Sequence, residues 1–150
     1  MEKESTERFD SVLRGLADAG VLGEFILVGS WCLPVFRHVY GDPPEIPLLR
    51  TTDLDFLIRS PKRPGIKADI PGVLREMGFE PSFDAASKLI KYERPDLEIE
   101  FLVARLRSAD CIIQVPKLNQ EAQMLDYMEI AQQYAKPVLY KELELMVPEL

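Results

Sequence analysis

A short apolar segment, Phe25-Ile26-Leu27-Val28, ends in Gly29-Ser30 and constrains the fold of this chain more than any other feature. Because a strand that is buried on both faces is apolar at every position, the segment predicts an interior strand of a sheet. Residues 30 to 40 then follow a helical pattern, with Ser30 as a plausible N-cap. Glycine lets a backbone approach a ligand, and the serine hydroxyl and first-turn amides can hold phosphate oxygens. A turn that only caps the helix is the simpler interpretation of Gly29-Ser30 taken alone.

Helical and strand patterns alternate along the rest of the chain. Apolar spacing predicts helices over residues 5–19, 69–78 and 119–134. Strand patterns cover residues 53–58, 88–92, 97–103 and 111–115, and residues 137–147 are expected to add one or two edge strands. A turn at residues 93–96 would join the second and third of these strands as an antiparallel hairpin. The interleaving predicts an α/β (α+β) protein with a mixed β-sheet flanked by helices.

The length of 150 residues suits a single domain over residues 1–150. No apolar segment approaches the roughly 20 residues that span a bilayer, so no membrane partner is expected. The polar, acidic start is unlike a secretory signal, and the two cysteines have no metal-site spacing, so a cytoplasmic location is expected. The chain stops at Val147-Pro-Glu-Leu150 without a closing helix, as in an excised N-terminal part of a longer chain or at a natural end.

The net charge of −7 limits the partners to be expected. Such a surface repels polyphosphate backbones unless its basic residues cluster, so general nucleic-acid binding is disfavoured. A basic cluster does occur at Arg59, Lys62, Arg63 and Lys67. We interpret it as a solvated loop, because charged runs are usually exposed.

Two aspartates in the segment Thr52-Asp53-Leu54-Asp55-Phe56 form the strongest candidate site. Residues two apart in a strand face the same side, so Asp53 and Asp55 should point together. Neighbouring carboxylates repel each other unless a cation lies between them or water solvates both. Hard cations such as Mg²⁺ bind oxygen ligands of this type. The pair therefore predicts a metal site, and an exposed strand face is the alternative.

A second acidic strand, Leu97-Glu98-Ile99-Glu100-Phe101, offers a third carboxylate. Alternation places Glu98 and Glu100 on one face. Either side chain would complete a three-carboxylate cluster if this strand lies beside the first. The same alternation is also typical of a plain solvated sheet face.

Together these segments resemble the nucleotidyltransferase superfamily, which includes DNA polymerase β. Its motif is a strand, Gly-Ser, a helix, Asp-x-Asp on the next strand and a third acid on a later strand. This order is matched by Leu27-Val-Gly-Ser30, Thr52-Asp-Leu-Asp-Phe56 and Leu97-Glu-Ile-Glu-Phe101, within residues 25–103. The long gap after the Gly-Ser is more similar to uncharacterised nucleotidyltransferase-like proteins. In those, an acid before Phe-Leu is the third position, which favours Glu100, with Glu98 as its substitute; glutamate here replaces the commoner aspartate.

The resemblance implies a nucleotidyltransferase fold and a metal-dependent reaction. Asp53, Asp55 and Glu100 would be catalytic and hold Mg²⁺ (or Mn²⁺), while Gly29 and Ser30 would bind phosphate. The enzyme would then move a nucleoside monophosphate from a nucleoside triphosphate to an unknown acceptor hydroxyl, as two-metal sites do by stabilising the attacking and leaving oxygens.

Other functions stay open on the sequence alone. The same fold with a decayed site would bind a nucleotide or partner without catalysis. A component of a toxin–antitoxin system that acts on RNA is another alternative, although the acidic charge argues against an RNA acceptor. Arg50, Lys88 and Lys91 are candidates to neutralise phosphate charge, with surface solvation as their simpler role.

Overall fold

A computed structural model describes residues 2–41, 52–85, 89–95, 97–104, 112–125 and 128–149. Three residues singled out from the sequence, Arg50, Lys88 and Cys111, lie outside these ranges, as does the proline-rich segment 42–51. In the described part of the chain, no helix is long and apolar enough to cross a membrane.

The helices and strands follow the predicted alternation closely in the first two thirds of the chain. The helices are α1 (Glu2–Asp18), α2 (Cys32–Tyr40), α3 (Ile70–Glu76) and α4 (Met128–Gln133). The strands are β1 (Phe25–Val28), β2 (Asp53–Ile58), β3 (Glu80–Asp84), β4 (Leu89–Arg94), β5 (Leu97–Ala104), β6 (Ile112–Val115), β7 (Gln120–Leu125), β8 (Ala135–Tyr140) and β9 (Leu143–Pro148).

The nine strands found in the described residues belong to one mixed sheet, which confirms the predicted class. Along its main path the order is β3-β4-β5-β2-β1-β9-β8, and β7 pairs with the second half of β5 and with β6. The pairs β2–β5, β1–β9 and β5–β7 are parallel, and the others are antiparallel. The central position of β1 explains why Phe25–Val28 is buried at every residue.

The main hydrophobic core combines alternate side chains of the central strands with the apolar sides of α1, α2 and α3. Phe25, Phe56 and Phe101 lie at its centre, with ring centroids between 5.2 and 6.2 Å apart. Burying each such ring contributes roughly 1.5–3 kcal/mol. These contacts fix β1, β2 and β5 side by side. The opposite face of the same strands carries a second, smaller cluster, in which Ile26, Leu57 and Leu102 are buried.

The predicted helix over residues 119–134 is wrong. Residues 120–125 form β7, and only Met128–Gln133 form α4. Gln120, Ala122 and Met124 are buried while the residues between them are half-buried, which is the two-residue period of a strand. The helical spacing of Met124, Leu125 and Met128 arises because a strand and a helix follow each other closely, and pairing with β5 and β6 decides in favour of the strand.

Two further strands differ from the prediction. β3 (Glu80–Asp84) was not expected because Pro81 interrupts its pattern, yet proline is tolerated there since β3 is an edge strand. The tail forms β8 and β9, but only β8 is at the edge, because β9 lies between β8 and β1.

Candidate functional site

Asp53 and Asp55 share the face of β2 that is turned away from the main core. Leu54 and Phe56, the alternating residues, have no exposed surface and belong to the core. Strand alternation therefore places both aspartates on the opposite face, as the sequence predicts. Asp53 is exposed, whereas Asp55 is half-buried.

The parallel strand β5 brings two more carboxylates to the same face. Its register pairs Asp53 with Glu98 and Asp55 with Glu100. Because paired residues in neighbouring strands point to one side, the four side chains form two adjacent acidic pairs. The structure therefore places both Glu98 and Glu100 beside the aspartates, each next to a different one.

The carboxyl groups on this face are crowded, and the crowding raises the pKa values of Asp55 and Glu98. Burial, followed by the charge of Glu100 and a hydrogen bond shared with it, raises the pKa of Asp55 to about 7. The pKa of Glu98 is also raised, first by a hydrogen bond shared with Asp53 and then by partial burial. Each shift favours a proton in place of a second negative charge. The face is thus a crowded carboxylate cluster, in which the negative charges outweigh the nearby lysine charge.

Gly29, which directly follows β1, lies close to the Asp55 carboxyl group. A Cβ atom at Gly29 would lie 3.1 Å from Asp55 Oδ2, and the φ angle of +80° is one that other residues rarely adopt. The other oxygen, Asp55 Oδ1, is buried and has no hydrogen-bond partner. A buried oxygen without a partner is costly unless a donor or a cation contacts it.

The start of α2 differs in detail from the prediction. Trp31 rather than Ser30 occupies the N-cap position, and no side chain caps the helix. The amides of Cys32 and Leu33 donate to the carbonyls of Gly29 and Ser30, at 3.1 and 3.0 Å, so the expectation of unblocked first-turn amides is wrong for these two. Gly29-Ser30 nevertheless connects β1 to α2, with Gly29 close to the Asp55 carboxyl group.

Trp31 and His38 take structural positions. The Trp31 ring stacks on Phe9, with centroids 4.8 Å apart, so it packs against the core rather than presenting a face for a nucleobase. His38 makes an edge contact with Tyr140 on the same side of the sheet as the core. Neither residue lies in the carboxylate cluster.

The third predicted ligand is held by a lysine. Lys91 Nζ on β4 lies 2.8 Å from Glu100 Oε1. Among the residues that the structure describes, no group of three or more His, Cys, Asp or Glu side chains is arranged to hold a metal ion. Asp53, Asp55 and Glu100 lie on the same face, and their role as joint metal ligands stays a prediction; Glu100 is paired with Lys91.

The donor chemistry still fits a hard divalent cation. The two aspartates supply carboxylate oxygens, which Mg²⁺ prefers, and Asp55 Oδ1 has no other partner. Mg²⁺ usually takes only one or two protein carboxylates and completes its shell with water and substrate phosphates. Asp53 and Asp55 meet that requirement without a third fixed ligand.

The acidic row extends beyond the predicted residues. Glu93 on β4 is paired with Glu98, and Glu80 on β3 is paired with Glu93, so carboxylates continue from Asp53 to the edge of the sheet. An open cleft beside this row is lined by Thr52, Glu80, Glu93, Arg94, Pro95, Leu97 and Glu98. Sequence reasoning missed Glu80 and Glu93, although alternation in β4 together with the predicted turn at 93–96 carried the signal for Glu93.

The helix α4 limits the site on its other side. Leu57 and Leu102 continue the rows that begin with the carboxylates, and they are buried under α4 together with Ile26 and Val28. The face is thus apolar and covered at one end of β2 and β5, and acidic and open at the other. This boundary places Asp55 where part of its surface is excluded from water.

The comparisons with known proteins agree with this geometry at the level of a family. A family model described as Nucleotidyltransferase matches residues 7–141. No match was found among curated proteins, and none among solved structures. The matched segment includes Gly29-Ser30, β2 and β5, and thus the whole carboxylate face.

Proposed function

The chain belongs to the nucleotidyltransferase family, and from this premise we propose a metal-dependent transfer of a nucleoside monophosphate from a nucleoside triphosphate to an acceptor hydroxyl. The observation that carries the proposal is the buried, unpartnered Oδ1 of Asp55, between Gly29 at the end of β1 and Glu100 on β5. A carboxyl in that position has the chemistry to hold a cation, and it stands beside the Gly29-Ser30 turn.

Each residue of the site has a proposed role. Asp53 and Asp55 would hold Mg²⁺ or Mn²⁺, with Glu100 as a further ligand and Glu98 as its substitute. When bound, the metal supplies positive charge that stabilises the attacking and leaving oxygens. The turn at Gly29-Ser30 would orient the triphosphate, with Gly29 leaving room for it next to Asp55.

The proposed reaction is an in-line displacement at the α-phosphorus. The acceptor oxygen forms a bond to that phosphorus, the bond to the bridging oxygen breaks, and pyrophosphate leaves. Glu100 receives the proton that the acceptor hydroxyl loses. The α4-covered end of the face would exclude water on one side of Asp55, which strengthens every charge interaction there.

We propose that the acceptor approaches through the open cleft beside Glu93 and Glu98. Its negatively charged lining disfavours a polyphosphate backbone, which agrees with the acidic charge of the whole chain. A cytoplasmic location fits this proposal, because nucleoside triphosphates are available in the cytoplasm.

Calorimetry and single-turnover assays of Asp55→Asn test the proposal. We expect the wild-type protein to bind a non-hydrolysable nucleoside triphosphate more tightly with Mg²⁺ or Mn²⁺ than with EDTA. Asp55→Asn should lose this metal dependence and at least 100-fold of transfer activity, a typical loss for a group that stabilises transition-state charge (about 10²–10³). Asp18→Asn is the matched control, because Asp18 is exposed at the end of α1, away from the carboxylate face.

A second candidate function is a binding module without catalysis. The ion pair between Lys91 and Glu100 favours this binding module, because a lysine in the place of a metal ion would neutralise Glu100 permanently. Equal nucleotide affinity with and without divalent metal, in a protein that shows no turnover, would support this module against the enzyme.

A further inference from the structure

Lys91 lies beside the acidic pair formed by Asp55 and Glu100. It is two residues from Glu93, which is paired with Glu98, so strand alternation places Lys91 on the carboxylate face. Its Nζ lies 2.8 Å from Glu100 Oε1. The side chains are only 23% and 19% exposed, which makes their attraction stronger than that of a fully solvated pair.

The charge of Lys91 reaches beyond Glu100. Strand register places Lys91 on the same face as Asp55 and Glu98, whose paired neighbours Glu100, Asp53 and Glu93 are all acidic. An ammonium ion at this place therefore does part of what a bound divalent cation would do for the same oxygens. A metal that engages Glu100 must replace the ammonium ion or share the carboxylate with it.

We propose that Lys91 is an internal counterion, which stabilises the metal-free carboxylate face and competes with a divalent metal for Glu100. This inference rests on the proposed function, because it requires metal at Asp53 and Asp55. Lys91 is in this sense a residue that tunes affinity.

Removing the lysine charge should then tighten metal binding. With no competing ammonium ion, the cluster is more negative and Glu100 is available to the metal. If Lys91 instead holds Glu100 in place for the metal, its removal should have the opposite effect. Glu100 would then be disordered, and metal binding would weaken. The sign of the change therefore separates competition from positioning.

The experiment is a titration of Mn²⁺, followed by the electron paramagnetic resonance signal of the free ion, at constant ionic strength and without nucleotide. We expect Lys91→Met to bind Mn²⁺ about 3- to 10-fold more tightly than wild type, given the modest energies of part-exposed ion pairs. Lys91→Arg keeps the charge and should bind like wild type. Lys67→Met is the control for net charge, because Lys67 is exposed in the loop after β2, beyond the α4-covered end.

Stability is measured on the same variants. Lys91→Met should lower the melting temperature in EDTA and regain the difference in saturating Mn²⁺. Lys91→Gln, which keeps a hydrogen-bonding group, serves as the second neutral variant if Lys91→Met does not fold. Unchanged or weaker Mn²⁺ binding in the folded neutral variant overturns the inference. Failure of wild type and all variants to bind Mn²⁺ would overturn the proposed function as well, so the two failures are distinguishable.

Discussion

Asp55 and Glu100 occupy paired positions on two parallel strands, so their carboxyl groups lie side by side on the face opposite the core. Burial and the negative charge of Glu100 together raise the pKa of Asp55 to about 7. The metal-free protein therefore tolerates an arrangement that is unfavourable at neutral pH. The free-energy cost of this arrangement arises within the site. The site can therefore be tested by measuring the stability of the protein.

We expect Asp55→Asn to stabilise the metal-free protein at pH 8. The folded-state pKa of Asp55 is about 7, above its usual 3.8, so ionisation is harder in the folded state. The wild type therefore loses stability as pH rises from about 4 to 7, and the variant does not. One pKa unit corresponds to about 1.4 kcal/mol, and because water screens a half-buried group we expect a gain of about 1–2 kcal/mol.

Thermal or urea unfolding in EDTA at several pH values measures this difference. The gain should shrink steadily as the pH falls from 7 towards 4, where Asp55 is protonated in both states. Asp18→Asn, at an exposed helix end, should show no such trend. A pH-independent effect of Asp55→Asn would mean that the substitution acts through packing rather than through charge.

The carboxylate face was predictable because its signals are local. Asp53 and Asp55 flank Leu54 in a strand where the two-residue period meets no competing period. The apolar segment Phe25–Val28 likewise has only one interpretation in a mixed sheet. Segments of at most six residues were therefore enough to predict the central strands. They were also enough to predict the side to which the two aspartates point.

The features that escaped prediction depend on contacts between distant segments. Residues 119–134 carry apolar side chains at helical spacing, and only pairing of β7 with β5 and β6 makes 120–125 a strand. The ion pair of Lys91 with Glu100 depends on the register of the β4–β5 hairpin. A shift by one residue would turn Lys91 to the other face, so alternation alone cannot assign it.

The strand conformation of β7 can be tested at Gln120. This side chain is only 2% exposed, and its Oε1 accepts a hydrogen bond from the Tyr92 hydroxyl at 3.0 Å. Gln120→Met should leave that hydroxyl without a partner and lower the free energy of unfolding by about 1–3 kcal/mol. Gln133→Met, at an exposed position of α4, should change stability little. Equal effects in urea titrations would contradict a buried strand position for Gln120.

Cys32 should be unreactive in the folded protein. Burial raises the pKa of its thiol to about 12, and Sγ donates a hydrogen bond to the Leu27 carbonyl at 3.2 Å. Because the thiolate is the reactive form, alkylation by iodoacetamide at pH 8 should require unfolding. Mass spectrometry of the Cys32 peptide, with and without guanidinium, measures this directly. Modification of the native protein at the rate of a free thiol would show that α2 does not pack as described.

Gly29→Ala should damage both the backbone and the candidate site. The φ angle of +80° is unfavourable for alanine, at a cost of about 1–2 kcal/mol. In addition, the new Cβ would lie 3.1 Å from Asp55 Oδ2 and force the carboxyl to shift. Gly20→Ala separates the two effects, because Gly20 has a similar φ of +77° with nothing within 4 Å of its Cβ position. Both variants should lose stability, as followed by thermal melts, but only Gly29→Ala should also weaken Mn²⁺ binding. If the two variants bind Mn²⁺ equally well, Asp55 is not the residue through which this turn contributes to the site.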